Sequence, residues 1–141
     1  MTINDDAELK HILTTVRRVA SVGVSGNEAK PSYGIFQYLV AHGYEMIPVN
    51  PGTPEIQGKK TYANLAAIPG KIDVVQVFRK PEDVPPVVEE AIQVGARYVW
   101  MQEGVINEEA AQRAEAAGLG VVMDRCMRQT HRRLLGEQFR I

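Results

Sequence analysis

Residues 19–34 read VASVGVSGNEAKPSYG, and this stretch decides the fold. The β-branched residues Val19, Val22 and Val24 predict a strand over Val19–Val24. A loop of Gly, Ser, Asn, Lys and Pro follows, and then an apolar helical pattern. Strand, Gly-rich turn, helix is the arrangement that points backbone N–H groups and a helix N-terminus at a phosphate. The loop reads G-x-S-G-N-x-x-K-P-S-Y-G, which is neither the dinucleotide fingerprint G-x-G-x-x-G nor a Walker A loop. Its Ser25, Gly26, Asn27, Lys30 and Ser32 supply hydroxyls, backbone amides and a cation suited to a pyrophosphate. The alternative is an ordinary strand-to-helix turn with Ser32 as a capping serine.

Outward from this stretch, strands and helices alternate. A helix is expected over residues 7–17, with Leu9, Ile12, Leu13 and Val16 on one face and Asn4, Asp5 or Asp6 as cap. The next helix runs over Tyr33–His42, closed by Gly43. Further strands are expected at Glu45–Val49, Asp73–Phe78, Tyr98–Met101 and Gly120–Met123. Between the second and third lies a loop, then a helical turn at Asn64–Ile68. Helices are expected over Val84–Val94, from the cap Asn107 to Gly118, and over Met127–Gly136. Short apolar strands separated by helices imply an α/β domain: a doubly wound, Rossmann-like parallel sheet of about five strands. Its expected order is 3-2-1-4-5, with one domain filling residues 1–141.

Ligands of such sheets bind beyond the carboxyl ends of the strands. That selects the loops Ser25–Ser32, Asn50–Thr53, Arg79–Val84, Gln102–Ile106 and Asp124–Met127. An NAD site wants an acid after the second strand to hold the ribose, and Asn50 stands there instead. Asn50 can bond a sugar or base edge, or simply form an Asn-Pro turn. Arg79 and Lys80 follow the third strand, where an additional phosphate would use them; a charged surface turn is the other reading. Gly104, after Gln102, permits a close backbone approach to a ligand, or is a simple turn former.

The composition narrows the function classes. Apolar residues make up 45% and charged residues 23%, which is ordinary for a soluble globular chain. A net charge of −1 argues against a dedicated nucleic-acid binder. The single cysteine, Cys126, rules out an internal disulfide and fits a reducing compartment. The acidic start (Asp5, Asp6, Glu8) is unlike a signal peptide, and no apolar run approaches the ~20 residues of a membrane span. A cytoplasmic location is expected.

Five motifs in order carry a family resemblance: VGVSGNEAKPSYG, HGYEMIPVNP, DVVQVFRKPEDVP, VWMQEGV and AGLGVVMDRCM, spanning Val22 to Met127. The chain resembles small bacterial and archaeal CoA-binding proteins, stand-alone relatives of the CoA-binding domain of the succinyl-CoA synthetase α subunit. The resemblance implies a Rossmann-like domain that binds coenzyme A or an acyl-CoA. The pyrophosphate would lie on Gly23, Ser25, Gly26 and Ser32, with Asn27, Lys30 and Tyr33 in the same motif. The nucleotide would lie near Asn50, Arg79 and Lys80, with Gln102 and Gly104 on the other flank. Lys30 stands where many relatives have Arg, which keeps a charge contact. In the synthetases a second domain carries a phosphorylated histidine and a partner subunit binds nucleotide, so the fold alone does not bring their reaction with it.

No catalytic constellation is recognisable. There is no G-x-S-x-G elbow, and Ser25 has no evident His and acid partners. A non-catalytic coenzyme A-binding protein is therefore expected, the alternative being a small NAD(P)-binding oxidoreductase-like domain. No protein partner or oligomeric state is assigned. His11, His42 and His131 show no metal-ligand spacing and are expected to be solvated or capping. Cys126 follows the last strand near Arg125 and Arg128, where cations favour a thiolate. It is either a small buried residue or a thiol able to form a mixed disulfide with coenzyme A. Arg125, Arg128, Arg132, Arg133 and Arg140 form a basic stretch expected to be a solvated helix face.

Overall fold

The computed structural model describes residues 1–136; Arg140 lies outside them. The helices are α1 (Asp6–Thr15), α2 (Pro31–Ala41), α3 (Val84–Gln93), α4 (Glu108–Ala116) and α5 (Met127–Leu135). The strands are β1 (Arg18–Val22), β2 (Glu45–Val49), β3 (Glu55–Ile56), β4 (Lys59–Lys60), β5 (Val74–Val77), β6 (Tyr98–Met101) and β7 (Gly120–Val122). Five of them form a parallel sheet in the order β2-β1-β5-β6-β7.

Alternation of side chains along each strand divides the core in two. Ala20, Val22, Val75, Val77, Val99 and Val121 pack with residues of α3 and α4. Val19, Val74, Trp100 and Val122 pack with α1, α2 and α5 through Leu9, Ile12, Leu13, Phe36, Leu39 and Met127. Trp100 and Phe36 are wholly buried, and each such side chain contributes on the order of 2–3 kcal/mol by leaving water. The Trp100 Nε1–H is satisfied by the Arg125 carbonyl at 2.9 Å.

The strand order corrects the expectation. Taken in chain order, the sheet reads 2-1-3-4-5 rather than 3-2-1-4-5, so β2 is an edge strand. Pro48 supplies the physical reason, because a strand residue without an N–H belongs at an edge. The Pro48 carbonyl points outward, accepting from the Tyr62 N–H at 3.0 Å, and the missing donor faces the same way. Tyr62 thus covers the β2 edge; at the other edge the Ile3 N–H donates to the Val121 carbonyl at 2.7 Å.

The segment between β2 and β5, expected as a loop, contains the antiparallel pair β3–β4. Its two turn residues, Gln57 (φ 52°) and Gly58 (φ 76°), are both left-handed, as a tight two-residue hairpin turn requires. A short 3-10 turn at Leu65–Ala67 follows, capped by Asn64. Asp5 caps α1 and Asn107 caps α4, as expected. Ser32 does not cap α2: Pro31, preset for a first helical position, starts the helix two residues earlier and makes Lys30 the cap residue. No described helix is long and apolar enough to cross a membrane.

Candidate functional site

At the carboxyl end of β1 the chain must leave the sheet between two neighbours. The Gly23 N–H donates to the Val49 carbonyl of β2, and the Phe78 N–H donates to the Val22 carbonyl. Gly23 has φ +88°, and a Cβ there would sit 2.6 Å from the Phe78 carbonyl oxygen. Only glycine lets the loops after β1 and β5 come this close. These loops part at the point where the chain switches from one side of β1 to the other, so a cleft opens between them.

The cleft has a volume of about 640 Å³. Of the residues expected to bind, it brings together Gly23, Ser25, Lys30, Ser32, Arg79, Lys80, Gln102 and Gly104. Ile35, Phe78, Pro81 and Val105 line its apolar part, and Glu103 and Cys126 complete the wall. Those apolar residues had no signal in a sequence that presents them as ordinary core and loop positions.

Gly26, Asn27, Tyr33 and Asn50 are not among the lining residues. Asn27 organises the loop: its Oδ1 accepts from the Ala29 N–H and its own N–H donates to Ser25 Oγ. Gly26 faces Thr53 and Ile56, and the Tyr33 carbonyl accepts from Gln57 Nε2, which ties the hairpin to α2. Asn50 Nδ2 donates to the Val24 carbonyl while its Oδ1 accepts from the Gly52 N–H, stitching the ends of β1 and β2 together.

The loop after β1 is preorganised for an anion. The Ser25 N–H donates to Ser32 Oγ at 2.9 Å, so both serine oxygens already accept one hydrogen bond. Their O–H groups remain as donors. No side chain caps α2, whose first residues Pro31 and Ser32 line the cleft, whereas α1 and α4 are capped by Asp5 and Asn107 and the first N–H of α5, at Met127, donates to Gln102 Oε1. Among the described residues, no ion pair engages Lys30, Arg79 or Lys80. The uncapped start of α2 and the unneutralised cations together favour negative charge in the cleft. Arg79 also borders a second, smaller pocket of about 100 Å³, walled by Val22, Val49, Pro51, Leu65 and Val87.

Of the three histidines, His131 departs from expectation, while His11 is solvated and His42 stands at the C-cap of α2. His11 is exposed, but His131 is wholly buried and His42 nearly so. Tyr38 Oη lies 2.8 Å from His131 Nδ1, His42 Nδ1 lies 2.7 Å from the Tyr38 carbonyl oxygen, and the two imidazole centroids are 5.0 Å apart. Burial, and secondarily His42, pushes the His131 pKa down to about 4. The solvated-histidine expectation fails for His131 because α5 packs it against Tyr38 and Tyr44. In the basic stretch, Arg133 is exposed and pairs with Asp6 through two hydrogen bonds. Arg128 is only partly exposed, and its guanidinium lies where a side chain at Gly34 would be.

Fold and cleft together define an α/β domain with a cation-lined cleft at its switch point. A family model described as a CoA binding domain matches residues 17–132. The chain belongs to the CoA binding domain family. It is 41% identical over 125 residues to an uncharacterized protein of Bacillus subtilis, YneT, covering 89% of this chain and 93% of that protein. It is 35% identical over 89 residues to the α subunit of an ADP-forming acetate–CoA ligase from Pyrococcus furiosus. That match covers 59% of this chain and 19% of the subunit. Among solved structures, a hypothetical protein from Pyrococcus horikoshii superposes with a TM-score of 0.93 at 40% identity, covering 96% and 97% of the two chains.

Proposed function

We propose that this chain is a non-catalytic coenzyme A-binding protein that holds the phosphorylated ADP portion of coenzyme A, or of an acyl-CoA, in the cleft at the ends of β1, β5 and β6. The observation that carries the reading is the convergence of Gly23, the Ser25 and Ser32 hydroxyls, the start of α2 and the cations Lys30, Arg79 and Lys80 on one space. Family membership supports coenzyme A as the anion that fills it.

Coenzyme A offers a pyrophosphate and a 3′-phosphate, and three cations without ion-pair partners match that charge better than they match NAD. Arg79 lines both the main cleft and the small pocket beside Pro51, so in this reading its guanidinium serves a phosphate in the cleft with the adenosine lying toward that pocket. The chain works in the cytoplasm in this reading, and no chemical step is assigned to it. Isothermal titration with coenzyme A, NAD and ATP side by side tests the proposal. The expected result is a clear preference for coenzyme A; preference for NAD, or no binding of coenzyme A, overturns it.

A further inference from the structure

The centre of β5 reads Val74-Val75-Gln76-Val77, and a polar residue in the middle of a wholly buried strand needs a reason. Gln76 is wholly buried, as is Ser21 beside it on β1. An amide in that place costs stability unless every polar atom finds a partner. Here it does. Ser21 Oγ lies 2.8 Å from Gln76 Oε1, and Gln76 Nε2 lies 3.1 Å from Gln102 Oε1. Gln102 Oε1 also accepts from the backbone N–H of Met127, the first residue of α5, at 3.2 Å.

That backbone group orients the whole chain of bonds. The Met127 N–H can only donate, so the Gln102 atom facing it is oxygen. The Gln76 atom facing that oxygen must then be nitrogen, which turns the Gln76 oxygen toward Ser21 and makes the Ser21 hydroxyl the donor. With Oε1 committed inward twice, the Gln102 Nε2 amino group is the end of the side chain left for the cleft that Gln102 lines.

The position of Gln102 along the sheet edge says what it meets. Arg79 and Lys80 follow β5, and the small pocket beside Arg79 lies toward β2. Gln102 and Cys126 lie toward β6 and β7, where the cleft is lined by Glu103 rather than by a cation. Phosphates are held at the first end, so the uncharged arm of the ligand extends toward the second.

We propose that Gln76 is a positioning residue, which holds the Gln102 amide so that its Nε2 donates to a carbonyl oxygen in the pantetheine arm of the bound ligand. This rests on the coenzyme A reading above. A buried network of this kind gives the cleft one fixed donor, where an apolar residue at position 76 would leave the Gln102 amide held by the Met127 N–H alone.

The test compares two ligands on the intact chain by titration calorimetry: coenzyme A, and adenosine 3′,5′-bisphosphate, which has phosphates and base but no pantetheine. Gln102→Met removes the donor, and Gln76→Met removes one of the two hydrogen bonds that restrain it while preserving volume. The expected result is a loss of coenzyme A affinity of about tenfold for Gln102→Met and about threefold for Gln76→Met, corresponding to one hydrogen bond or part of one. Affinity for adenosine 3′,5′-bisphosphate stays within about twofold of the parent in both variants. Equal losses for both ligands, or no loss for either, overturn the positioning role. Should Gln76→Met fail to fold, Ser21→Ala, which removes the hydrogen bond that orients Gln76, takes its place and is expected to show the same loss confined to coenzyme A. If the parent chain binds neither ligand, it is the coenzyme A reading that fails.

Discussion

Helices α2 and α5 each join two regions of opposite character. Their starts border the cleft, where no side chain caps α2 and, among the described residues, no ion pair engages Lys30, Arg79 or Lys80. Further along, the same helices meet in a cluster of Tyr38, His42, Tyr44 and His131, where ring stacks on ring and Tyr38 Oη lies 2.8 Å from His131 Nδ1. One region is an open cleft; the other is packed within the protein. The difference teaches that stability and binding are concentrated at different places along the same two helices, so substitutions should separate them.

The largest effect is expected where the two concerns meet. Gly23→Ala places a Cβ against the Phe78 carbonyl at a left-handed φ, so it is expected to cost about 3 kcal/mol, or roughly 10 °C of melting temperature, and to abolish coenzyme A binding by forcing the β1 and β5 loops apart. A melting temperature within a degree or two of the parent would break the argument that this close approach shapes the cleft.

The imidazole cluster predicts an acid-dependent loss that leaves the cleft's chemistry untouched. His131 is held below its ordinary pKa, so above about pH 6.5 it is neutral in folded and unfolded chains and the fold keeps its full stability. As pH falls from 6.5 toward 4 the unfolded chain takes up a proton that the folded one refuses, and stability on the order of 2–3 kcal/mol is lost. Thermal melts across that range should show the fall, and His131→Gln should flatten it. An unchanged slope in the variant places the acid sensitivity elsewhere.

Smaller and opposite in kind are the cleft cations. Arg79→Ala is expected to weaken coenzyme A binding about thirtyfold, because the guanidinium borders both pockets; Lys80→Ala, more exposed, about fivefold. Both should melt with the parent, and both losses should shrink as salt is raised. A fall in melting temperature matching the loss of affinity would erase the distinction between the two regions.

The smallest effect on folding is expected at Cys126, which lines the cleft and starts α5. Incubation with coenzyme A disulfide should produce an adduct of coenzyme A mass, as the Cys126 thiolate forms the mixed disulfide and one coenzyme A thiol departs. Cys126→Ser should show no adduct and little change in melting. Mass spectrometry decides, and an unmodified parent chain ends the idea.

The elements themselves were legible in the sequence because period and punctuation agree. Asp5 and Asn107 cap where their spacing implies, and the apolar faces of the helices lie in the core. The strand order was not read, although Pro48 carried it: periodicity is blind to which strands are neighbours, whereas a missing N–H is not. The hairpin at Gln57-Gly58 was hidden because its strands are two residues each, too short for alternation to register. Of the cleft, the loop glycine, serines and cations were legible because chemistry selects those residue types. Its apolar wall was not, since Ile35 and Phe78 look like any core residue until the fold brings them to an edge. The burial of His131 depends on α5 lying against α2, a contact between residues 93 positions apart that no local pattern encodes.

The two partly covered edges of the sheet bear on how it resists the addition of a further strand. An open edge strand is a template on which another chain can add, and aggregation begins there. On this molecule Tyr62 occupies the template at β2 and Ile3 occupies it at β7, each through backbone hydrogen bonds. Strand addition is hindered at both ends, because the backbone at Tyr62 and at Ile3 already occupies part of each edge.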